Sequence, residues 1–174
     1  PLGTFIDISA IVHDNHDRGL LGLAVHPDFP TTPYVYMLYT HDPAGVNPDT
    51  IPPGAPAPTS VPARTAQLLR VEADPATNHT TAKAGTGVVL LGTNSTQANI
   101  GSENDGRNSA LASCMSPKNM SGVPVEDCIP SDENSHTIGT VAFAPDGSLF
   151  VSNGDGSNYG GVDVRALRAQ NLDS

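Results

Sequence analysis

A histidine at position 136 closes a long polar stretch and stands directly before a run of apolar and β-branched residues. Imidazole is the side chain that titrates nearest neutrality, so at the end of a loop and the start of a strand it suits a general base. The plainer role for a lone histidine in such a place is a surface or hydrogen-bonded loop residue. Asp17 and Arg18 precede an earlier apolar run in the same way. A carboxylate there would accept from substrate hydroxyls and a guanidinium fork would match a carboxylate; the plainer alternative is a surface ion pair contributing under about 1 kcal/mol. Asp155, between Gly154 and Gly156, offers a hard oxygen ligand for Ca2+, or is a turn residue bonding its own backbone. His13, His16, His26 and His41 show no paired metal-binding spacing and read as structural or exposed. Cys114 and Cys128 lie in a stretch rich in Ser, Asn, Gly and Pro, which suits a disulfide staple across a loop in an oxidising compartment, the alternative being two unlinked thiols. Without accompanying histidines they make no zinc site.

The elements that must position these residues are strands. Short apolar, aromatic and β-branched runs at Leu20–Val25 and Tyr34–Thr40 predict a hairpin, with Pro and Asp between them to end the ladder. Prolines at 48, 52, 53, 56, 58 and 62 predict an extended excursion. Gln67–Glu72 and Val88–Leu91 read as a third and a fourth strand, joined by a turn that starts at Asp74-Pro75. From Thr93 to Asn134 no apolar period is sustained, which predicts one long loop. Thr140–Phe143 and Leu149–Ser152 then form another strand pair around Pro145-Asp146-Gly147.

The second hairpin repeats the first. Gly22-Leu23-Ala24-Val25-His26-Pro27-Asp28-Phe29, followed by Tyr34-Val35-Tyr36-Met37, aligns with Gly139-Thr140-Val141-Ala142-Phe143-Ala144-Pro145-Asp146-Gly147, followed by Leu149-Phe150-Val151-Ser152. A recurring unit of about four antiparallel strands predicts an all-β fold of the β-propeller kind over a single β-sandwich. The expected division is 15–92 for a first blade with a Pro-rich insertion at 43–62, 93–135 for the long loop, and 136–174 for the start of a second blade. Propellers usually close with at least four blades, so the 174 residues are expected to be part of a longer polypeptide whose remaining blades complete the ring.

Composition narrows the partners. Eight Lys plus Arg against 18 Asp plus Glu leave a net charge of -10, which repels nucleic acid and anionic bilayers alike. The longest apolar runs are far shorter than the ~20 residues of a spanning helix, so no membrane insertion is expected. No leader precedes Pro1, which predicts a cytosolic or already trimmed chain. The cysteine pair and the Asn-X-Ser/Thr acceptors at Asn78, Asn94 and Asn119 lean towards a secreted or periplasmic one.

These residues also carry a family resemblance. Asp17-Arg18-Gly19-Leu20-Leu21-Gly22-Leu23-Ala24-Val25-His26-Pro27-Asp28-Phe29 resembles the opening blade signature of the soluble quinoprotein glucose/sorbosone dehydrogenases, the PQQ-dependent aldose dehydrogenases. Ser135-His136-Thr137-Ile138-Gly139, then Pro145-Asp146-Gly147 and Gly154-Asp155-Gly156, resemble that family's second-blade region. Arg168-Ala169-Gln170-Asn171-Leu172-Asp173-Ser174 resembles the segment just after it. Three motifs in order across most of the chain are far more specific than Pro-Asp-Gly alone.

The resemblance implies a six-bladed propeller of which this chain is about the N-terminal third, with PQQ and Ca2+ over the central channel. It implies oxidation of an aldose at its anomeric hydroxyl and electron transfer to an external acceptor, with the cofactor doing the redox chemistry and the protein handling the proton. His136 falls at the family's catalytic histidine. Asp17 and Arg18 would approach the same channel mouth, for substrate hydroxyls and quinone carboxylates, and Asp155 would be the metal candidate. Ser135 stands where some family members carry an acidic residue. The family residues that bind PQQ and its metal lie mostly in later blades, so the fragment alone is expected to be inactive. The alternative is a non-catalytic extracellular propeller of the same fold acting as a binding module.

Overall fold

A computed structural model describes residues 3–43, 63–101, 113–118, 121–132, 135–154 and 156. The Pro-rich excursion beyond residue 43 and the Arg168–Ser174 motif lie outside them. The fold is all-β, with three single-turn 3-10 segments as its helical content among the described residues.

Four strands form an antiparallel meander in sequence order: β1 (Leu20–Val25), β2 (Tyr34–His41), β3 (Arg64–Glu72) and β4 (Val88–Leu91). β2 reads Tyr-Val-Tyr-Met-Leu-Tyr-Thr-His and is buried along six consecutive positions, the pattern of a strand covered on both faces. One of those faces packs Tyr36 and Leu38, with Ala66 and Leu68 of β3, against a second hairpin. That hairpin is β8 (Ile138–Phe143) with β9 (Leu149–Asn153); Ile138 and Val141 are its buried contribution. The opposite face packs Val35, Met37 and Val71 under Phe5, Ile6 and Ile8 of the N-terminal segment.

The β8–β9 turn forms as its sequence demands. Asp146 Oδ1 accepts the Ser148 amide at 2.9 Å, and Gly147 takes φ +86°, which glycine adopts without a Cβ penalty. β8 lies close on β1 because β1 presents small residues to it. A Cβ at Gly22 would lie 3.0 Å from both Leu38 Cβ and Val141 Cγ2, so a side chain there would push β1 and β8 apart by a few tenths of an ångström. Both β1 and β8 carry a register irregularity near their start, between Leu20 and Gly22 and between Ile138 and Val141. The repeat seen in the sequence extends to this local geometry.

Two expectations need correction. The third strand starts at Arg64 rather than Gln67: Thr65 and Ala66 pair with β2 on one side and with Pro130 and Ile129 on the other, so the ladder continues through residues too polar to read as a strand. The long loop after β4 also contains three short strands, β5 (Met115–Ser116), β6 (Val123–Pro124) and β7 (Ile129–Ser131). β5 pairs with β6, while β7 pairs with the Arg64–Ala66 end of β3, which β4 leaves uncovered. Strands of two or three residues lie below the length at which alternation is legible. The Cys114–Cys128 disulfide is formed and staples this excursion. Asp127 closes its other end, its carboxylate accepting the Gly92 amide at 2.6 Å and the Thr93 amide at 2.9 Å.

Replacing Gly22 with Val should destabilise the protein by about 1–3 kcal/mol through overpacking between β1 and β8. Urea denaturation would measure this, and an unchanged midpoint would refute the close β1–β8 approach.

Candidate functional site

The chemistry-bearing residues collect at one end of the sheet, where β1 begins, β2 ends, β3 begins, β7 leaves and β8 begins. Arg18 is the strut of this end. Its side chain is buried, and its Nη2 donates to the carbonyl oxygens of Ser131 at 2.7 Å and Asp132 at 3.1 Å. The guanidinium therefore points into the protein and ties the lead-in of β1 to the exit of β7. A surface ion pair with Asp17 does not describe it.

Asp17, the preceding residue, faces the lead-in of β8. Its Oδ2 accepts the Ser135 hydroxyl at 2.8 Å and, at a long 3.4 Å, the backbone amide of His136. Its carbonyl accepts the Thr137 hydroxyl at 2.8 Å. Ser135 and Thr137 are buried, whereas His136 between them is exposed. His136 adopts φ +49°, an uncommon region for a residue with a Cβ. The surroundings hold it there from both sides. The Gly156 amide donates to the His136 carbonyl at 2.9 Å and the Gly154 amide to the Thr137 carbonyl at 2.5 Å. A Cβ at Gly154 would overlap both of those carbonyl oxygens. Residues from three separate motifs, around positions 17, 136 and 155, thus surround one histidine backbone.

Behind this rim lies a buried cationic cluster. Arg64 is fully buried, with Nε donating to Asp42 Oδ1 at 2.9 Å and Nη1 to the Ala63 carbonyl at 2.9 Å. His13 is 2% exposed, and its backbone amide donates to the Thr40 carbonyl at 3.0 Å. Burial, reinforced by the positive charges of Arg18 and Arg64, pushes the His13 imidazole down to about 3, so it is neutral at ordinary pH. Asp132 is buried as well and accepts the Ser113 amide at 3.2 Å.

Of the residues proposed from sequence, Asp17 and His136 are brought together, Arg18 lies beside them but is turned inward, and Asp155 lies outside the described residues. Among the other histidines, His41 is half-buried with Nδ1 2.9 Å from the Ser95 carbonyl. His26 packs edge-on against Phe143 with ring centroids 5.3 Å apart, and His16 is exposed. Sequence reasoning missed Arg64, Asp42 and Asp132, whose one signal was a charged residue abutting a strand. It also missed the roles of Gly154 and Gly156 as carbonyl clamps. Among the described residues no three His, Cys, Asp or Glu side chains gather as a metal site. No model of a known protein family matches the chain, and no curated protein matches it.

The neutral His13 makes a pH prediction. The unfolded chain takes up a proton at this residue as pH falls below about 6.5, while the folded one resists until about 3. Stability should therefore decline across that window. His13→Gln should flatten the dependence by up to about 1.4 kcal/mol per pH unit. Urea unfolding from pH 4 to 8 would measure it, and parallel profiles for the two proteins would refute the buried neutral histidine.

Proposed function

We propose that this chain is part of a PQQ-dependent sugar dehydrogenase of the soluble glucose/sorbosone type, with His136 as the general base that takes the proton of an aldose's anomeric hydroxyl. In this reading β1–β4 form one blade of a propeller and β8–β9 open the next. The observation that carries it is the meeting of Asp17 and Gly156 on the backbone of His136: the first-blade signature and both ends of the second-blade region of the resemblance come together at one residue whose side chain is exposed. The face-to-face packing of the hairpin on the meander supports adjacent blades. So do the apolar side chains left exposed on the two outer faces, Leu23 and Val25 on β1 and Phe150 on β9.

The residues present fit the proton-transfer half of the reaction. A hydroxyl approaching the rim would meet the His136 imidazole, and a ring nitrogen would accept its proton as a general base. Asp17 acts through the backbone: it fixes Ser135 and His136, so the imidazole stands out from the rim. The same residues do not fit the quinone. Arg18 is buried against backbone carbonyls, so in this reading the quinone carboxylates would be met by other residues, most of them in the later blades that the resemblance implies. When bound, the quinone supplies the two-electron acceptor, which an external acceptor then reoxidises. The disulfide is compatible with a secreted or periplasmic address.

The test is the full-length protein loaded with PQQ and Ca2+, with dye reduction followed on a panel of aldoses. Turnover is expected, and His136→Gln should lower it at least ~100-fold with PQQ affinity nearly unchanged. A folded, quinone-loaded protein that oxidises no aldose would leave the non-catalytic binding module as the better account. Full turnover by His136→Gln would remove the base from this position.

A further inference from the structure

Two of the three Asn-X-Ser/Thr triplets fall within the described residues, and their surroundings differ in a way the sequence does not reveal. Asn78 lies in the turn between β3 and β4, at the end of the 3-10 turn Pro75–Thr77, with a left-handed backbone at φ +56°. Asn78 and Thr80 are both exposed. The turn is built without the Asn78 side chain. Asp74 Oδ1 accepts the Ala76 amide at 2.9 Å, the Thr77 hydroxyl lies 2.9 Å from that of Thr81, and the Thr80 hydroxyl donates to the Thr77 carbonyl at 2.7 Å. The Asn78 backbone amide donates to the Pro75 carbonyl at 3.1 Å, but its side-chain Nδ2 takes no part in holding the turn, so a large substituent on Nδ2 would extend into solvent and leave the turn intact.

Asn94 is the opposite case. Its Nδ2, the atom a glycan would need, donates to the Glu126 carbonyl at 2.8 Å, and its backbone amide donates to the Asp127 carbonyl at 3.0 Å. Its own carbonyl accepts from Asn99 Nδ2 at 2.8 Å. The following residue, Ser95, is fully buried, and its Oγ accepts the Ile129 amide at 3.1 Å. Asn94 is thus part of the closure that brings β4 and the Asp127 turn together, and a glycan on Nδ2 would crowd the carbonyl it now bonds. Asn119 lies outside the described residues.

We propose that Asn78 is an N-glycan acceptor and that Asn94 is not, a modification independent of the dehydrogenase reading. In the transfer, Asn78 Nδ2 bonds to the anomeric carbon of a lipid-pyrophosphate-linked oligosaccharide. The bond from that carbon to the phosphate oxygen breaks, the lipid pyrophosphate leaves with the electron pair, and the amide gives up one proton. The Thr80 hydroxyl completes the acceptor triplet. The compartment that supplies such a donor in a eukaryotic cell is also the one in which disulfides such as Cys114–Cys128 form.

The full-length protein should be secreted from a eukaryotic host, and its mass and glycosylated peptides compared before and after enzymatic removal of N-glycans. Most molecules are expected to carry a glycan on the Asn78 peptide and none on the Asn94 peptide. Asn78→Gln should abolish it, as should Thr80→Val, which keeps the asparagine and guards against a variant that misfolds. Thr80→Ser, which keeps the hydroxyl, should retain modification. An unmodified Asn78 in folded, secreted protein would overturn the site, and comparable occupancy of Asn94 would overturn the structural distinction.

Discussion

A guanidinium buried in a β-protein must have its donors met by oxygen, since leaving them unmet costs several kcal/mol. Arg18 meets this requirement at Nη2 across a sequence separation of 113 and 114 residues, on the carbonyls of Ser131 and Asp132. The rest of the rim follows from that bond. With residue 132 held beside residue 18, only a short stretch of chain separates it from Ser135, so Ser135, His136 and Thr137 arrive opposite Asp17. The Asp17 carboxylate and carbonyl then take the groups that come within reach. Without the strut the apolar core would still draw β8 onto β1, but hydrophobic packing is non-directional and would leave the lead-in to β8 without a fixed position.

The same end of the sheet holds a second buried guanidinium, and charge balance decides how its neighbours behave. Arg64 is offset by Asp42, and removing either partner of such a pair leaves an uncompensated buried charge. His13 is kept neutral there first by its burial and then by the positive charges of Arg18 and Arg64. Backbone packing adds a further constraint. A Cβ at Gly154 would collide with the carbonyls that lead into β8, and one at Gly22 would press tightly on β8 itself. β8 is fitted between neighbours that offer no side chain at the points of closest approach, and this limits how far its first residues can shift.

The strands were legible where apolar and β-branched residues run unbroken between turn formers. Leu20–Val25 and Val88–Leu91 match their predicted bounds, and β2, β8 and β9 extend theirs by one or two residues, because apolar and β-branched residues bounded by Pro, Asp and Gly leave few alternatives. Legibility failed where hydrogen bonding rather than hydrophobicity makes the element. Arg64, Thr65 and Ala66 continue β3 because both of its edges are paired there, and no property of those three residues announces it. Arg18 failed in the opposite sense: an arginine next to a candidate site reads as a fork facing solvent, and only the carbonyls of a loop more than a hundred residues away show that it faces inward. Asp17 and His136 were expected only to lie near the same end of the fold, each preceding the corresponding strand of its hairpin, and not to touch. Spacing alone does not relate residues 119 apart.

Ser135, directly before His136, meets a carboxylate from a distant stretch of the chain. The carboxylate comes from across the sheet, from Asp17, and it bonds the Ser135 hydroxyl and the His136 backbone. What it supplies is conformation. A positive φ at a residue with a Cβ costs about 1–3 kcal/mol and persists only when the surroundings over-determine it. At His136 they do so through the Asp17 carboxylate on one side and the Gly156 amide on the other. The direction of the imidazole is therefore set by a backbone clamp assembled from three stretches of chain, which leaves the ring itself exposed at the rim.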